Sequence, residues 1–244
     1  MIDSYINGLD LHADRARSLW PDYDDQPGEQ KKRRQVGKMM NFADLFLSSA
    51  NTMRQQVYAQ SGGDINLPAE IFQQVVKTRP KLRPILTQWQ RNLIHTAKVS
   101  GRVELPIIGQ SRNFSNISKE RSEIVNFPVQ TTASNLMMQI QSRFQMEVHR
   151  RFKRGVDSPR MFLQIFDAIY VDCPPSTADI AEDCFNDVIN ACMSPLGYWG
   201  ILTSHYKREP IPLLFDVEQQ ENRSWSEPPH EQPIQTRSRN TGAA

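Results

Sequence analysis

Hydrophobic and polar positions along most of the chain repeat with the period of an α-helix. Apolar residues three and four positions apart recur over 31–58, 68–98 and 176–194, and a longer pattern of the same kind runs from about Thr132 to Phe152. Because such positions share one face of a helix, these segments predict helices with one buried side. Residues 1–20 predict a loop followed by a short helix.

Three segments have a composition typical of strands and turns. "RVELPIIGQSRNF" (102–114) combines β-branched residues with Pro and Gly, which predicts a hairpin. "MFLQIFDAIYVDCP" (161–174) predicts a pair of strands around a polar centre, and 198–219 predicts the last strands. The polar sequence after Gln219 has little to bury, so we expect a mobile tail. The predicted fold class is therefore α+β.

The helix predicted around 31–50 has two different faces. One face is apolar and suits a core: Val36, Met39, Met40, Ala43, Leu47 and Ala50. The opposite face is mostly polar, with an aromatic residue at its edge: Arg34, Lys38, Asn41, Leu45 and Phe42. Spaced cations suit a polyphosphate, and a neighbouring ring can stack on a base or sugar, so a nucleoside triphosphate fits this face. The alternative is an ordinary solvated surface.

Composition narrows the possibilities but does not identify a function. The 244 residues can bury a sizeable core, and 39% hydrophobic with 23% charged residues is ordinary globular usage. A net charge of +2 is too small to argue for nucleic acid by itself. Three cysteines without a C-x-x-C pair indicate free thiols rather than a disulfide framework or a zinc site. No apolar run predicts a membrane span, so we expect a soluble, cytoplasmic protein.

The polar face of this helix resembles the nucleotide-binding fingers helix of the family-A DNA polymerases of bacteria and phages. Four residues match the pattern R-x-x-x-K-x-x-N-F in register: Arg34, Lys38, Asn41 and Phe42. The pattern then departs, because Ala43, Phe46 and Leu47 stand where that family has Gly, Tyr and Gly. A single-subunit RNA polymerase has related motifs, but the "NF" after Lys38 favours DNA synthesis.

Further motifs resemble the same family in the same order. "GLDLH" (8–12) is similar to G-x-D-I-H, and "GQSR" (109–112) to GR-x-R. "ERSEIVNFPVQTTASN" (120–135) is similar to ER-x-x-x-N-x-P-x-Q, although Arg121 lies one position further from Asn126 than in that pattern. "QIFDAIYVD" (164–172) is similar to the carboxylate-bearing V-H-D-E-L-V-F-E. The resemblance covers about 5–225 and implies a helical fingers portion plus an incomplete antiparallel palm sheet with packed helices.

The resemblance implies a division of the chain and a set of roles. It implies fingers over 1–100, palm over 101–218 and a flexible tail over 219–244. His12 and Arg34 would hold the phosphates of a dNTP. Lys38 would lie near the α-phosphate and the leaving pyrophosphate, and Phe42 would pack on the incoming base and sugar.

The resemblance also implies contacts with template–primer DNA. Four residues would make them near the active site: Arg112, Arg121, Asn126 and Gln130. Such contacts fix register without reading sequence. For each isolated basic residue, surface solvation is the competing interpretation.

Asp167 is the candidate metal ligand and catalytic carboxylate. Apolar residues flank it closely, so we expect an acid held at a turn of an apolar strand pair, with a cation or strong donor beside it. From the residues alone, a turn Asp bonding its own backbone is the simpler interpretation. The resemblance makes Asp167 a Mg²⁺ ligand of a two-metal site, although Phe166 and Ala168 replace the usual His and Glu.

The second carboxylate of such a site is missing from the 244 residues. The family's other catalytic Asp opens a "D-Y-S-Q-I-E-L-R" strand about 30 residues before the G-x-D-x-H motif, and no such string occurs here. We therefore expect a DNA polymerase that needs a separate N-terminal chain for this Asp. Two alternatives are a truncated or wrongly started polymerase, and a non-catalytic DNA-binding relic of one.

Overall fold

Helices form most of the chain in the computed structural model, which describes residues 7–152, 157–165 and 167–205. We number the helices in chain order: α1 (Leu11–Leu19), α2 (Pro27–Leu45), α3 (Ala50–Gln60), α4 (Ala69–Leu82), α5 (Pro84–Ser100), α6 (Arg121–Arg151), α7 (Ala178–Met193) and α8 (Tyr198–His205). A short 3₁₀ turn, Pro175–Thr177, precedes α7. No helix within these described ranges is both long and apolar enough to cross a bilayer.

The strands in the described part of the chain form two antiparallel hairpins. Strands β1 (Arg102–Leu105) and β2 (Gln110–Asn113) pair with Leu105 opposite Gln110. Strands β3 (Arg160–Ile165) and β4 (Ala168–Asp172) pair with Ile165 opposite Ala168, and a register shift lies between Met161 and Leu163. Both predicted hairpins and the α+β class are therefore confirmed.

The predicted helix over 31–58 is wrong as one element, because α2 and α3 are separate helices. The chain leaves α2 through Leu47, whose φ of 58° is in the left-handed region. The Ser48 amide closes the end of α2 by donating to the Ala43 carbonyl at 2.8 Å. The Ser49 hydroxyl then caps α3 by accepting from the Thr52 amide at 3.1 Å. Apolar periodicity alone gives no sign of this break because it continues through it.

Two other boundaries differ from the sequence prediction. Helix α6 begins at Arg121 rather than near Thr132, with Pro128 inside it, because fully buried Ile124 and Val125 anchor its first turns. The start of the segment predicted as the last strands is helix α8. A Cβ on Gly200 would lie 2.1 Å from the Ser194 carbonyl oxygen, so only glycine permits this turn of helix. Residues 206–219 and the predicted tail lie outside the described residues.

The chain divides into two compact units, Met1–Thr132 and Ala133–Ala244. The first unit has a core between α2, α3 and α4: Val36, Met40, Ala43, Met53, Val57 and Phe72. A second core in the same unit joins α5 and the β1–β2 hairpin to the start of α6: Ala97, Val103, Phe114 and Ile124. The apolar face predicted for 31–50 is thus buried at Val36, Met40 and Ala43.

The core of the second unit lies between α6 and α7. Its buried members are Leu136, Met137, Ile140, Phe144, Val148, Cys184, Val188, Ile189 and Cys192. The half-buried Tyr198 and Trp199 of α8 pack against this core, as do Ile169 and Val171 of β4. All three cysteines are free thiols, as predicted.

Candidate functional site

Helices α1 and α2 pack closely against each other at a glycine. A Cβ on Gly37 would lie 2.2 Å from the His12 carbonyl oxygen and 3.1 Å from the Ala16 amide nitrogen. Such distances leave no room for any side chain other than hydrogen. Ala13 and Ala16 are buried on the facing side of α1. This close approach brings His12 beside the polar face of α2.

Asp10 connects the start of α1 to Arg34. Its Oδ1 accepts from the amides of His12 and Ala13 at 2.9 and 3.0 Å, which caps the helix. Its Oδ2 accepts from Arg34 Nε at 2.5 Å. Burial raises the pKa of Asp10, but the hydrogen bonds from Arg34 and from these two amides outweigh it, so the pKa is below its ordinary value. The carboxylate is thus held charged while it orients the guanidinium.

Asn41 lies at the centre of a hydrogen-bond network. Its Nδ2 donates to the Leu11 carbonyl at 2.9 Å and lies 3.3 Å from His12 Nδ1. Its Oδ1 accepts from Arg15 Nε at 3.2 Å and from Arg83 Nη2 at 2.9 Å. This one side chain therefore joins α1 and α2 to the junction between α4 and α5.

An aromatic group lies next to these polar side chains. The Phe42 ring is 45% exposed, and its centroid is 6.1 Å from that of His12. The Phe46 ring stacks with Phe42, with the ring centroids 6.2 Å and the planes 10° apart. A flat, accessible ring beside cationic side chains can receive a base or a sugar.

Three charged groups act on the His12 ring. Burial lowers the pKa of His12, the positive charges of Arg34 and Lys38 lower it further, and Asp10 opposes them. The net shift is downward, so the imidazole is neutral at neutral pH. His12, Arg34, Lys38 and Phe42 thus lie together on the surface formed by α1 and α2, with Lys38 exposed one turn before Phe42.

A buried ion cluster lies next to Asn41, and the sequence reading missed it. Asp44 is 2% exposed and its carboxylate accepts from Arg79 Nε at 2.5 Å and from Arg15 Nη2 at 3.2 Å. Arg83 Nη1 lies 3.3 Å from the same carboxylate, close enough for an ion pair. The sequence signal was a single Asp between the apolar Ala43 and Leu45. Its arginine partners are 68 positions apart at the extremes, Arg15 and Arg83, and cannot be found by spacing.

The residues expected to contact DNA lie in the first unit, on β2 and the start of α6. Arg112 is exposed, forms an ion pair with Glu123 and lies over the Phe114 ring, 5.2 Å from its centroid. Arg121 and Gln130 are exposed on α6. Asn126 is half-buried, and its Oδ1 is a buried acceptor without a hydrogen-bond partner among the described residues.

Asp167 lies at the turn between β3 and β4, in the second unit. The turn was predicted, but the expected cation or donor beside the carboxylate is not found among the described residues, where Asp167 is exposed. No group of three or more His, Cys, Asp or Glu suited to a metal ion occurs within the described ranges.

Comparisons with known proteins agree with each other. The family described as "DNA polymerase family A" matches residues 1–222. A DNA polymerase of Mycobacterium phage D29 is 24% identical over an alignment of 184 residues, and the match covers 73% of this chain and 26% of the relative. DNA polymerase I A, chloroplastic/mitochondrial, of Arabidopsis thaliana is 24% identical over 224 residues, covering 80% of this chain and 20% of the relative.

A solved structure has a similar fold. It is the POL domain of Pol1 from M. smegmatis in complex with DNA primer-template and dNTP, with a TM-score of 0.59 and 18% identity. The match covers 77% of this chain and 32% of that one. The chain therefore spans about a quarter of the phage relative and about a third of the solved chain.

Proposed function

Because the chain belongs to family A of the DNA polymerases, we propose that it forms part of an enzyme that adds deoxynucleotides to the 3′ end of a primer under the direction of a template. The observation that carries this proposal is the surface of α1 and α2. There, an exposed aromatic ring lies beside an imidazole and two cations, formed by Phe42, His12, Arg34 and Lys38. The cations suit a triphosphate and the ring suits the base attached to it. We assign 1–100 to the fingers and 101–218 to the palm.

The proposed role of this surface is to hold a dNTP. Phosphoryl transfer depends on positioning and on neutralising charge, with little covalent chemistry for the protein to perform. Arg34 supplies two Nη groups that can bind phosphate oxygens, because Asp10 occupies its Nε. Lys38 adds a point charge where the pyrophosphate leaves, and Phe42 offers its exposed ring to the base and sugar.

Template–primer DNA would lie along β2 and the start of α6. Arg112 and Arg121 are exposed and can reach phosphates, and Gln130 is exposed on α6. The Oδ1 of Asn126 has no hydrogen-bond partner among the described residues. This supports the role, because a buried acceptor without a partner costs free energy that a bound donor would recover.

Asp167 is the proposed Mg²⁺ ligand. An exposed carboxylate with no ion-pair partner among the described residues is a hard oxygen donor that an incoming cation can reach. When bound, the ion would neutralise charge that builds on the transferring phosphoryl group. One carboxylate holds such a pair of ions poorly, so the other ligands must come from outside the described residues.

We propose that the second catalytic Asp is supplied by a separate N-terminal polymerase chain. The support is the β3–β4 hairpin, whose β3 strand exposes Phe162, Leu163 and Ile165. Within the described residues, β3 pairs with β4 alone and keeps an edge available for another strand.

Primer extension on mixing tests this function. The chain is combined with an N-terminal polypeptide that carries the D-Y-S-Q-type strand, a labelled primer–template, dNTPs and Mg²⁺. We expect synthesis on mixing. Asp167→Ala should lower the rate of primer extension at least ~10³-fold, as the removal of a group that stabilises the transition state does. Asp179→Ala, an exposed carboxylate in the first turn of α7, is the control and should keep the activity.

The same experiment distinguishes the proposed enzyme from a non-catalytic relic. Ala168 beside an uncovered Asp167 favours a DNA-binding relic without catalysis. Such a relic would bind primer–template equally well with either substitution and would synthesise nothing on mixing.

A further inference from the structure

The orientation of the Asn41 side-chain amide is fixed by partners that have a single hydrogen-bonding role. Arg15 Nε and Arg83 Nη2 can only donate, and both point to the same atom, so that atom is the carbonyl oxygen Oδ1. The Leu11 carbonyl can only accept, so the atom facing it is Nδ2. These three contacts agree on one orientation of the amide.

This orientation determines which His12 nitrogen carries the proton. Nδ2 has two hydrogens, of which one goes to the Leu11 carbonyl, and His12 Nδ1 lies 3.3 Å from the same nitrogen. A lone pair on Nδ1 accepts the second hydrogen, whereas a proton on Nδ1 would meet an N–H group. The favourable arrangement therefore leaves Nδ1 unprotonated.

We propose that Asn41 is a positioning residue that holds His12 as the neutral tautomer with its proton on Nε2. The consequence for binding rests on the proposed dNTP site. There, His12 donates Nε2–H to a phosphate oxygen and adds no positive charge. Arg34 and Lys38 then supply the charge of the site, and Arg15 and Arg83 act on it through Asn41.

The net effect of the charges facing His12 favours the neutral ring, although Asp10 opposes it. Arg34 and Lys38 on α2 disfavour an imidazolium, and Asp10 before α1 is already bonded to Arg34. The folded pKa lies below the ordinary 6.5, so the unfolded chain takes up this proton first as pH falls. The His12 contribution to stability is therefore present above about pH 6.5 and is lost as the pH falls below it.

Nitrogen-15 NMR of the ring tests the tautomer directly. The full chain is labelled with ¹⁵N-histidine, and His12 is assigned by its loss in His12→Gln. We expect a pyridine-type shift for Nδ1 and a pyrrole-type shift for Nε2 at neutral pH. A pyrrole-type Nδ1 overturns the proposal.

Two variants separate the action of Asn41 from a general effect of charge. Asn41→Asp keeps an acceptor for the arginines but replaces the donor that faces Nδ1 by an oxygen, so we expect the proton to move to Nδ1 and the pKa to rise. Asn51→Asp adds the same charge at an exposed position of α3 and should change neither. Asn41→Ala covers the case in which the Asp variant does not fold, and the Nδ1–H population should then rise to that of a free neutral histidine. An unchanged tautomer in a folded Asn41 variant overturns the proposal.

A titration with dTTP and Mg²⁺ separates this inference from the proposed function. A change in the Nε2 shift on addition supports both. The predicted tautomer together with no change on adding dTTP supports the role of Asn41 and contradicts the nucleotide site.

Discussion

Asp44 has a larger structural role than its position in the sequence suggests. Its 2% exposed carboxylate accepts from Arg79 and Arg15 and pairs with Arg83, and Gln90 Nε2 donates to its backbone carbonyl at 3.2 Å. It therefore joins α2 to α1, α4 and α5. Three guanidiniums close to one another are tolerable here because this carboxylate lies among them.

Asp44→Ala is expected to destabilise the first unit by about 3–5 kcal/mol, because it leaves buried guanidiniums without a counter-charge. Urea denaturation followed by circular dichroism measures the change. Asp64→Ala, which removes an exposed partner of Lys32, is the control and should cost less than about 1 kcal/mol. A similar cost for the two variants would contradict the role given to Asp44.

Sequence reasoning found some of the site residues but not the residues that hold them. Arg34, Lys38 and Phe42 follow from helical spacing, because all three lie on one helix. The contact of His12 with α2 came only from a family resemblance, since 22 or more residues separate it from them. The networks of Asn41 and Asp44 depend on packing between helices, which no local pattern encodes.

At the scale of the element, the pair of α1 and α2 depends on one glycine. Gly37 lies inside a helix, where glycine costs free energy relative to alanine. A Cβ at this position would lie 2.2 Å from the His12 carbonyl oxygen, which explains why the residue is glycine. The proposed nucleotide surface therefore depends on the close contact between the backbones of α1 and α2 at Gly37.

Gly37→Ala is expected to destabilise the first unit by about 1–3 kcal/mol or more, because the methyl group would force α1 away from α2. Gly28→Ala on the same helix is the control, since a Cβ there meets no atom within 4 Å, and alanine should be neutral or stabilising by up to ~1 kcal/mol. Thermal unfolding compares the two variants. Equal stabilities would mean that the two helices do not pack at Gly37.

Helix boundaries were predicted where the chain contains a residue that marks them. Gly101 ends α5 in the left-handed conformation, at φ 73°, as predicted from its position after the helix. The end of α2 was missed because Leu47, not glycine, occupies the equivalent conformation. The start of α6 was missed because Pro128 is tolerated inside it.

At the scale of the whole molecule, the α+β class and both hairpins could be predicted from the sequence because each element has its own periodicity or turn. The family could be predicted because its motifs occur in order. The exposure of Asp167 could not be predicted, since the local sequence does not show how the turn between β3 and β4 packs in the folded chain. The exposed apolar residues of β3, Phe162 among them at 54%, support a further strand from outside the described residues.

The central claim is that the surface of α1 and α2 binds a nucleoside triphosphate. Equilibrium titration of the chain with a fluorescent dNTP and Mg²⁺ tests it most directly. Arg34→Ala and Lys38→Ala should each weaken binding roughly tenfold or more, because each removes a charge-assisted contact worth about 1.5–3 kcal/mol. Lys98→Ala, an exposed lysine in the last turn of α5, should leave the affinity unchanged. Equal affinities for all three variants and the unsubstituted chain would contradict the account.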